Sequence, residues 1–87
     1  MLSVDLTLSA ESELYRLPRA AAESLRSTFE RLAEEPFESG TGYRVKRLRD
    51  TGGRWVVRVG KYGAIYRVEG DAIKILKVGP RSNLYRS

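Results

Sequence analysis

The chain contains no cysteine and no histidine. The first absence removes disulfides and thiolate chemistry and fits a reducing compartment, so the expected location is the cytoplasm. The second removes the usual acid–base side chain near neutral pH. Together they leave no basis for a zinc site, and no metal or other cofactor is expected. Long hydrophobic runs are missing too. Nothing approaches the ~20 apolar residues of a membrane span, and no membrane partner is expected. The opening MLSVDLTLSAESE lacks a basic region followed by an apolar one and does not read as a signal peptide. There are 87 residues, which suits a single domain, 1–87, with one modest core. Any catalyst here must be assembled from Arg, Lys, Tyr, Asp or Glu.

What is present is an uneven charge. Residues 1–43 hold four arginines and no lysine against eight acids, a balance of −4. Residues 44–87 hold twelve Lys and Arg against three acids, a balance of +9. A half-chain so basic is suited to facing a polyanion.

Hydrophobic periodicity divides the chain into elements. Residues 2–8, LSVDLTL, alternate apolar and polar and predict a half-buried strand. Ser9 reads as an N-cap, with Glu11 and Glu13 in the first turn of a helix. Pro18 interrupts that helix and can open a second one at its first position. In the second, Ala22, Leu25, Phe29 and Leu32 form an apolar stripe. The mixed charges of 19–35 read as its solvated face, and Pro36 ends it. FESGTG (37–42) is a loop. Extended segments follow at 43–50, 54–60, 63–70 and 71–79, divided by turn residues such as Thr51-Gly52-Gly53 and Glu69-Gly70-Asp71. Gly52-Gly53 is a turn and not a phosphate loop, since no GxxxxGK[ST] surrounds it. Trp55 reads as core; Tyr62 and Tyr66 read as packing. The expected class is α+β in the order β-α-α-β-β-β. A helical hairpin would cover one face of a twisted antiparallel sheet, and basic side chains would occupy the partly open other face.

The run from Tyr43 onward carries a family likeness. Arg58-Val59-Gly60-Lys61-Tyr62, then Ile65-Tyr66, an acidic-Gly turn, Val78-Gly79-Pro80-Arg81 and finally Tyr85 follow a known order of short motifs. The N-terminal strand and hairpin fit the same order. In these features the whole chain resembles the RelE/ParE superfamily of toxins from type II toxin–antitoxin pairs. The resemblance implies a partner antitoxin with an acidic binding tail, in a hetero-oligomeric complex. For a RelE-like member it further implies cleavage of messenger RNA in the ribosome, inhibiting translation. For a ParE-like member it implies non-enzymatic inhibition of DNA gyrase.

Metal-independent RNA cleavage uses the 2′-hydroxyl as nucleophile. It needs a base for that proton, stabilisation of phosphate charge, and a proton for the leaving 5′-oxygen. Arginine suits the phosphate, because its planar fork donates two parallel hydrogen bonds and stays charged. By match to the family pattern, Arg81 is the phosphate-stabilising arginine and Tyr85 the C-terminal functional tyrosine. Nearby arginines would favour its phenolate, so Tyr85 suits proton transfer; stacking on a base would also fit. Arg54 and Arg58 lie on the strand where RelE-type enzymes carry active-site cations. Lys46 and Arg47 lie on the preceding strand and, with Arg44, Arg49 and Lys61, suit gripping the RNA backbone.

One position departs from the pattern. Gly63 stands where most members have an arginine, which in RelE-type enzymes contacts the phosphate. Losing such a donor costs about 10²–10³ in rate. Three explanations fit: a detoxifying substitution, a naturally weakened relative, or membership of the gyrase-directed branch. Glycine is a poor choice for packing in a strand, so Gly63→Arg is expected at this point to restore activity.

Overall fold

The computed structural model describes residues 1–49 and 52–84. The elements run β1 (Ser3–Leu6), α1 (Leu8–Tyr15), α2 (Arg19–Glu34), β2 (Arg44–Arg47), β3 (Trp55–Val59), β4 (Tyr62–Glu69), β5 (Ala72–Pro80) and α3 (Arg81–Leu84). The strands form one sheet in the order β1-β5-β4-β3-β2. β1 pairs parallel with β5, and every other neighbouring pair is antiparallel. The chain therefore starts at one edge, crosses to the other through the α1–α2 hairpin, and returns strand by strand.

The α+β class and the hairpin agree with the sequence reading. The strand count does not: four strands follow the hairpin where three were expected, because each extended segment closes its own turn. Gly60, with φ of 61°, and Lys61 alone connect β3 to β4, and Gly70, with φ of 60°, sits in the turn between β4 and β5. Glycine reaches this left-handed region without the clash a Cβ would cause. The four-residue α3 was not expected, since it is too short to show helical periodicity.

The first helix begins earlier than its sequence suggested. Thr7, not Ser9, is the N-cap of α1. Its hydroxyl accepts from the Ala10 N–H at 3.0 Å and donates to the Leu76 carbonyl of β5 at 3.3 Å. The cap is thus chosen partly by the neighbouring strand, and Ser9 lies exposed inside the helix. Thr7→Ala should cost about 1–2 kcal/mol and Thr7→Ser much less, read as urea midpoints. Equal loss in both variants would show that the methyl group, not the hydroxyl, matters. Pro18 is likewise one residue outside its expected place, as the N-cap of α2.

The stripe on α2 behaves as its spacing predicts: Ala22, Leu25, Phe29 and Leu32 are buried. They meet Leu14 of α1 and Val57, Ala64, Tyr66, Ile73, Ile75 and Val78 from the sheet. Tyr66 is fully buried, and its hydroxyl donates to the Pro36 carbonyl. Burial, helped by nearby Tyr43, pushes its phenol above the ordinary range, so this ring is a packing group and not an acid–base one. Trp55, expected in the core, is half-buried against it, with its ring centroid 4.7 Å from that of Phe37. A smaller cluster occupies the other side of the sheet: Val56, Ile65 and Leu84, with Leu48 and Leu76 around them. No helix among the described residues is long and apolar enough to cross a membrane.

Candidate functional site

Strand register decides which cations meet. Arg44 of β2 lies directly opposite Arg58 of β3, Arg58 opposite Gly63 of β4, and Gly63 opposite Gly79 of β5. Directly opposed residues project from the same face of a sheet. One row therefore starts with two arginines and continues with two glycines. Alternation places Val56 and Ile65 on this same face, the one away from the α1–α2 hairpin.

The end of this row is closed by α3. The Arg81 N–H donates to the Lys61 carbonyl at 2.9 Å, which fixes the start of α3 to the β3–β4 turn. The 40–43 loop approaches from the other side. The result is a cleft of about 540 Å³ lined by Gly40, Gly42, Tyr43, Arg44, Arg58, Gly60 and Arg81. Lys61 and Arg81 also line an adjoining hollow, with Tyr62, Pro80 and Ser82.

Three arginines from three separate elements thus line one cleft. Like charges directly opposed across a strand pair are destabilising, and a bound anion would ease that repulsion. Glu69 and Asp71 are the acids among the described residues of 44–84, and both lie at the β4–β5 turn. That turn is the far end of β4, roughly 23 Å from Tyr62 at ~3.3 Å per residue. Glu69 there already pairs with Arg67.

The sequence-predicted site residues divide accordingly. Arg44, Arg58 and Arg81 come together, and Lys61 adjoins them. Lys46 is exposed on the same face, one row away opposite Val56. Arg54 immediately precedes β3, four residues and roughly 13 Å from Arg58 at ~3.3 Å per residue. Arg47 opposes Trp55 and so projects toward the hairpin side. Arg49 is exposed in the turn after β2. Tyr85 lies outside the described residues. The glycine wall at Gly40 and Gly42 and the ring of Tyr43 went unrecognised as site components. Their one sequence signal was a Gly-x-Gly immediately before the basic strand.

Gly63 needs a correction. It is buried, and a Cβ built there would lie 2.5 Å from the Val57 carbonyl oxygen and 2.8 Å from Leu84 Cδ1. The direction is toward Leu84 and the α3 side, the side that carries Arg58, as a phosphate-contacting residue would need. The space, however, is taken. Glycine at 63 has a packing reason of its own, contrary to the sequence reading.

The family described as the ParE toxin of type II toxin–antitoxin systems, parDE, matches residues 4–85. The chain belongs to this ParE toxin family. This ParE-family toxin is also similar to solved structures across nearly its whole length. In the archaeal RelE–RelB complex from Pyrococcus horikoshii OT3, one chain is 29% identical with a TM-score of 0.78; the match covers 94% of this chain and 97% of that one. In the toxin–antitoxin complex RelBE2 from Mycobacterium tuberculosis the values are 27% and 0.77, with coverage of 92% and 98%. The YoeB/ParE toxin from Agrobacterium tumefaciens, 21% identical with a TM-score of 0.77 and coverage of 92% and 99%, shares the fold. No curated protein sequence matches the chain. The superfamily likeness read from the short motifs therefore holds for this ParE-family toxin.

Proposed function

We propose that this toxin cleaves messenger RNA in a RelE-like, ribosome-dependent manner. The observation that carries the reading is the convergence of Arg44, Arg58 and Arg81 on one cleft. Arg58 and Arg81 would hold the scissile phosphate, and Arg44 and Lys61 the neighbouring backbone. The 2′-oxygen attacks phosphorus and loses its proton to a base, the P–O5′ bond breaks, and the 5′-oxygen takes up a proton. Charge accumulates on the phosphate oxygens during this step, where fixed guanidinium donors act most strongly. The likeness at 29% and 27% identity to chains of the RelE–RelB and RelBE2 complexes supports the same reading. The partner that silences this chain would then be an antitoxin with an acidic tail lying over the basic half.

A second reading is favoured by two observations. No side chain at 63 supplies the phosphate contact, and the matching family is named for ParE. On that reading the chain inhibits gyrase and the cleft grips a partner without chemistry. The test is to add the purified chain to programmed ribosomes and, separately, to gyrase with supercoiled DNA. Cleaved message with normal gyrase is the expected result. Intact message with stalled, DNA-breaking gyrase would replace the proposal with the second reading.

A further inference from the structure

Arg31 is far in sequence from the basic half and reads there as part of a solvated helix face. In the structure it has two specific partners. Its Nη1 donates to the Thr41 carbonyl at 2.8 Å, and its guanidinium carbon lies 4.6 Å from the centroid of the Tyr43 ring. These partners flank Gly42, whose φ of 86° turns the chain toward Arg44.

The rest of the loop is closed around the same ring. Gly40 and Tyr43 exchange backbone hydrogen bonds, 3.2 Å each way. A Cβ at Gly40 would lie 2.7 Å from the Tyr43 ring, so any larger residue here would have to push that ring aside. The Val45 N–H donates to Ser39 Oγ at 2.9 Å, just beyond Arg44. Tyr43 is 8% exposed. The segment that Arg31 holds is thus the segment that supplies Gly40, Gly42, Tyr43 and Arg44 to the cleft.

We propose that Arg31 is a positioning residue for the arginine cleft: through Tyr43 and Thr41 it holds the 40–44 wall, and with it Arg44, in place for a nucleic-acid phosphate. This rests on the reading that the cleft binds RNA. A cation over an aromatic face and a charged hydrogen bond together hold a side chain well enough for their loss to matter about tenfold in affinity. The pre-formed wall would otherwise have to be ordered when the phosphate binds.

The experiment is a double-mutant cycle on the full chain. A short fluorescein-labelled single-stranded RNA is the probe, and Arg31→Ala, Arg44→Ala and the double variant are compared at fixed salt. Arg31→Ala should weaken binding about tenfold, yet add little once Arg44 is gone, because it acts through Arg44. Amide exchange at Gly40 and Tyr43 should quicken in Arg31→Ala while β4 and β5 amides are unchanged. Arg31→Lys keeps the charge without the fork and should recover part of the affinity, which also covers any failure of the alanine variant to fold. Additive losses, or full recovery by lysine, would mean that Arg31 acts as a separate charge and would overturn the proposal. Unchanged exchange at Gly40 and Tyr43 would overturn it as well. A wild-type chain that ignores the probe would overturn the cleft reading itself, and this role of Arg31 with it.

Discussion

Arg81→Ala and Arg58→Ala should each lower cleavage of message on programmed ribosomes by about 10²–10³-fold, the usual loss for one donor aimed at developing oxyanion charge. The two come from different elements but line one cleft, and groups that serve one phosphate act as a unit. The double variant should therefore be only slightly worse than either single one. Lysine should rescue neither fully, since a point charge cannot make the two parallel bonds of a guanidinium. Arg81 fixes the start of α3 through its backbone N–H, not its side chain, so truncating the side chain should leave thermal stability nearly unchanged. Arg54→Ala and Arg47→Ala provide the contrast. Arg54 precedes β3, away from Arg58, and Arg47 projects to the hairpin side, so each should cost less than about tenfold, a loss that fits peripheral backbone contacts. Single-turnover measurements with cut message as the readout decide this. If Arg54→Ala proved the most damaging and Arg81→Ala harmless, the cleft defined by register would not be the site.

That contrast shows where sequence reasoning stopped. Alternation in LSVDLTL and the α2 stripe identified a strand and a helix because burial on one face imposes a period. The stretch RVKRLRD shows how many cations are present but not which of them meet. Their meeting depends on register: Arg44 opposes Arg58 because β2 pairs with β3 from Arg44↔Arg58 to Arg47↔Trp55. A one-residue slip would send Arg58 to the hairpin side. The same register explains Arg47. It occupies a core-side position, but β2 is the edge strand, and there a long charged side chain can lie along apolar surface and still reach water. The cap at Thr7 and the partners of Arg31 left no sequence signal, for a related reason. Each residue takes its role from a partner distant in sequence or fold: the Leu76 carbonyl for Thr7, and the Tyr43 ring for Arg31. Neither partner leaves a periodic trace. The superfamily likeness was legible because its short motifs fall at the ends of β3 and β5, where the cleft is built.

Gly63→Arg should destabilise the fold and should not raise cleavage, the reverse of what the family pattern alone suggests. The first obstacle meets the first atom of any side chain. A Cβ at 63 would be 2.5 Å from the Val57 carbonyl oxygen, a backbone atom that cannot swing aside. Moving it disturbs the β3–β4 ladder at Val57↔Ala64 and Arg58↔Gly63. The second obstacle is Leu84 Cδ1 at 2.8 Å. Leu84 is only 2% exposed and packs with Val56 and Ile65, so its rotation opens that small cluster. Forcing extra atoms into a filled site typically costs about 1–3 kcal/mol. Gly63→Ala should already lose that much, and Gly63→Arg at least as much, in urea unfolding. Leu84→Ala removes one obstacle but not the other. Added to Gly63→Arg, it should therefore cost less than it does in the wild-type chain, because neighbouring sites couple. The arginine would then have room on the α3 side, next to Arg58, and cleavage is the informative second readout. A Gly63→Arg variant as stable as wild type and about 10²-fold more active, the gain expected of one restored donor, would mean that α3 yields readily. Position 63 would then belong to the phosphate site after all. A destabilised variant with no gain would mean that this sheet is built around a glycine, and that the scissile phosphate is held from β3 and α3 alone.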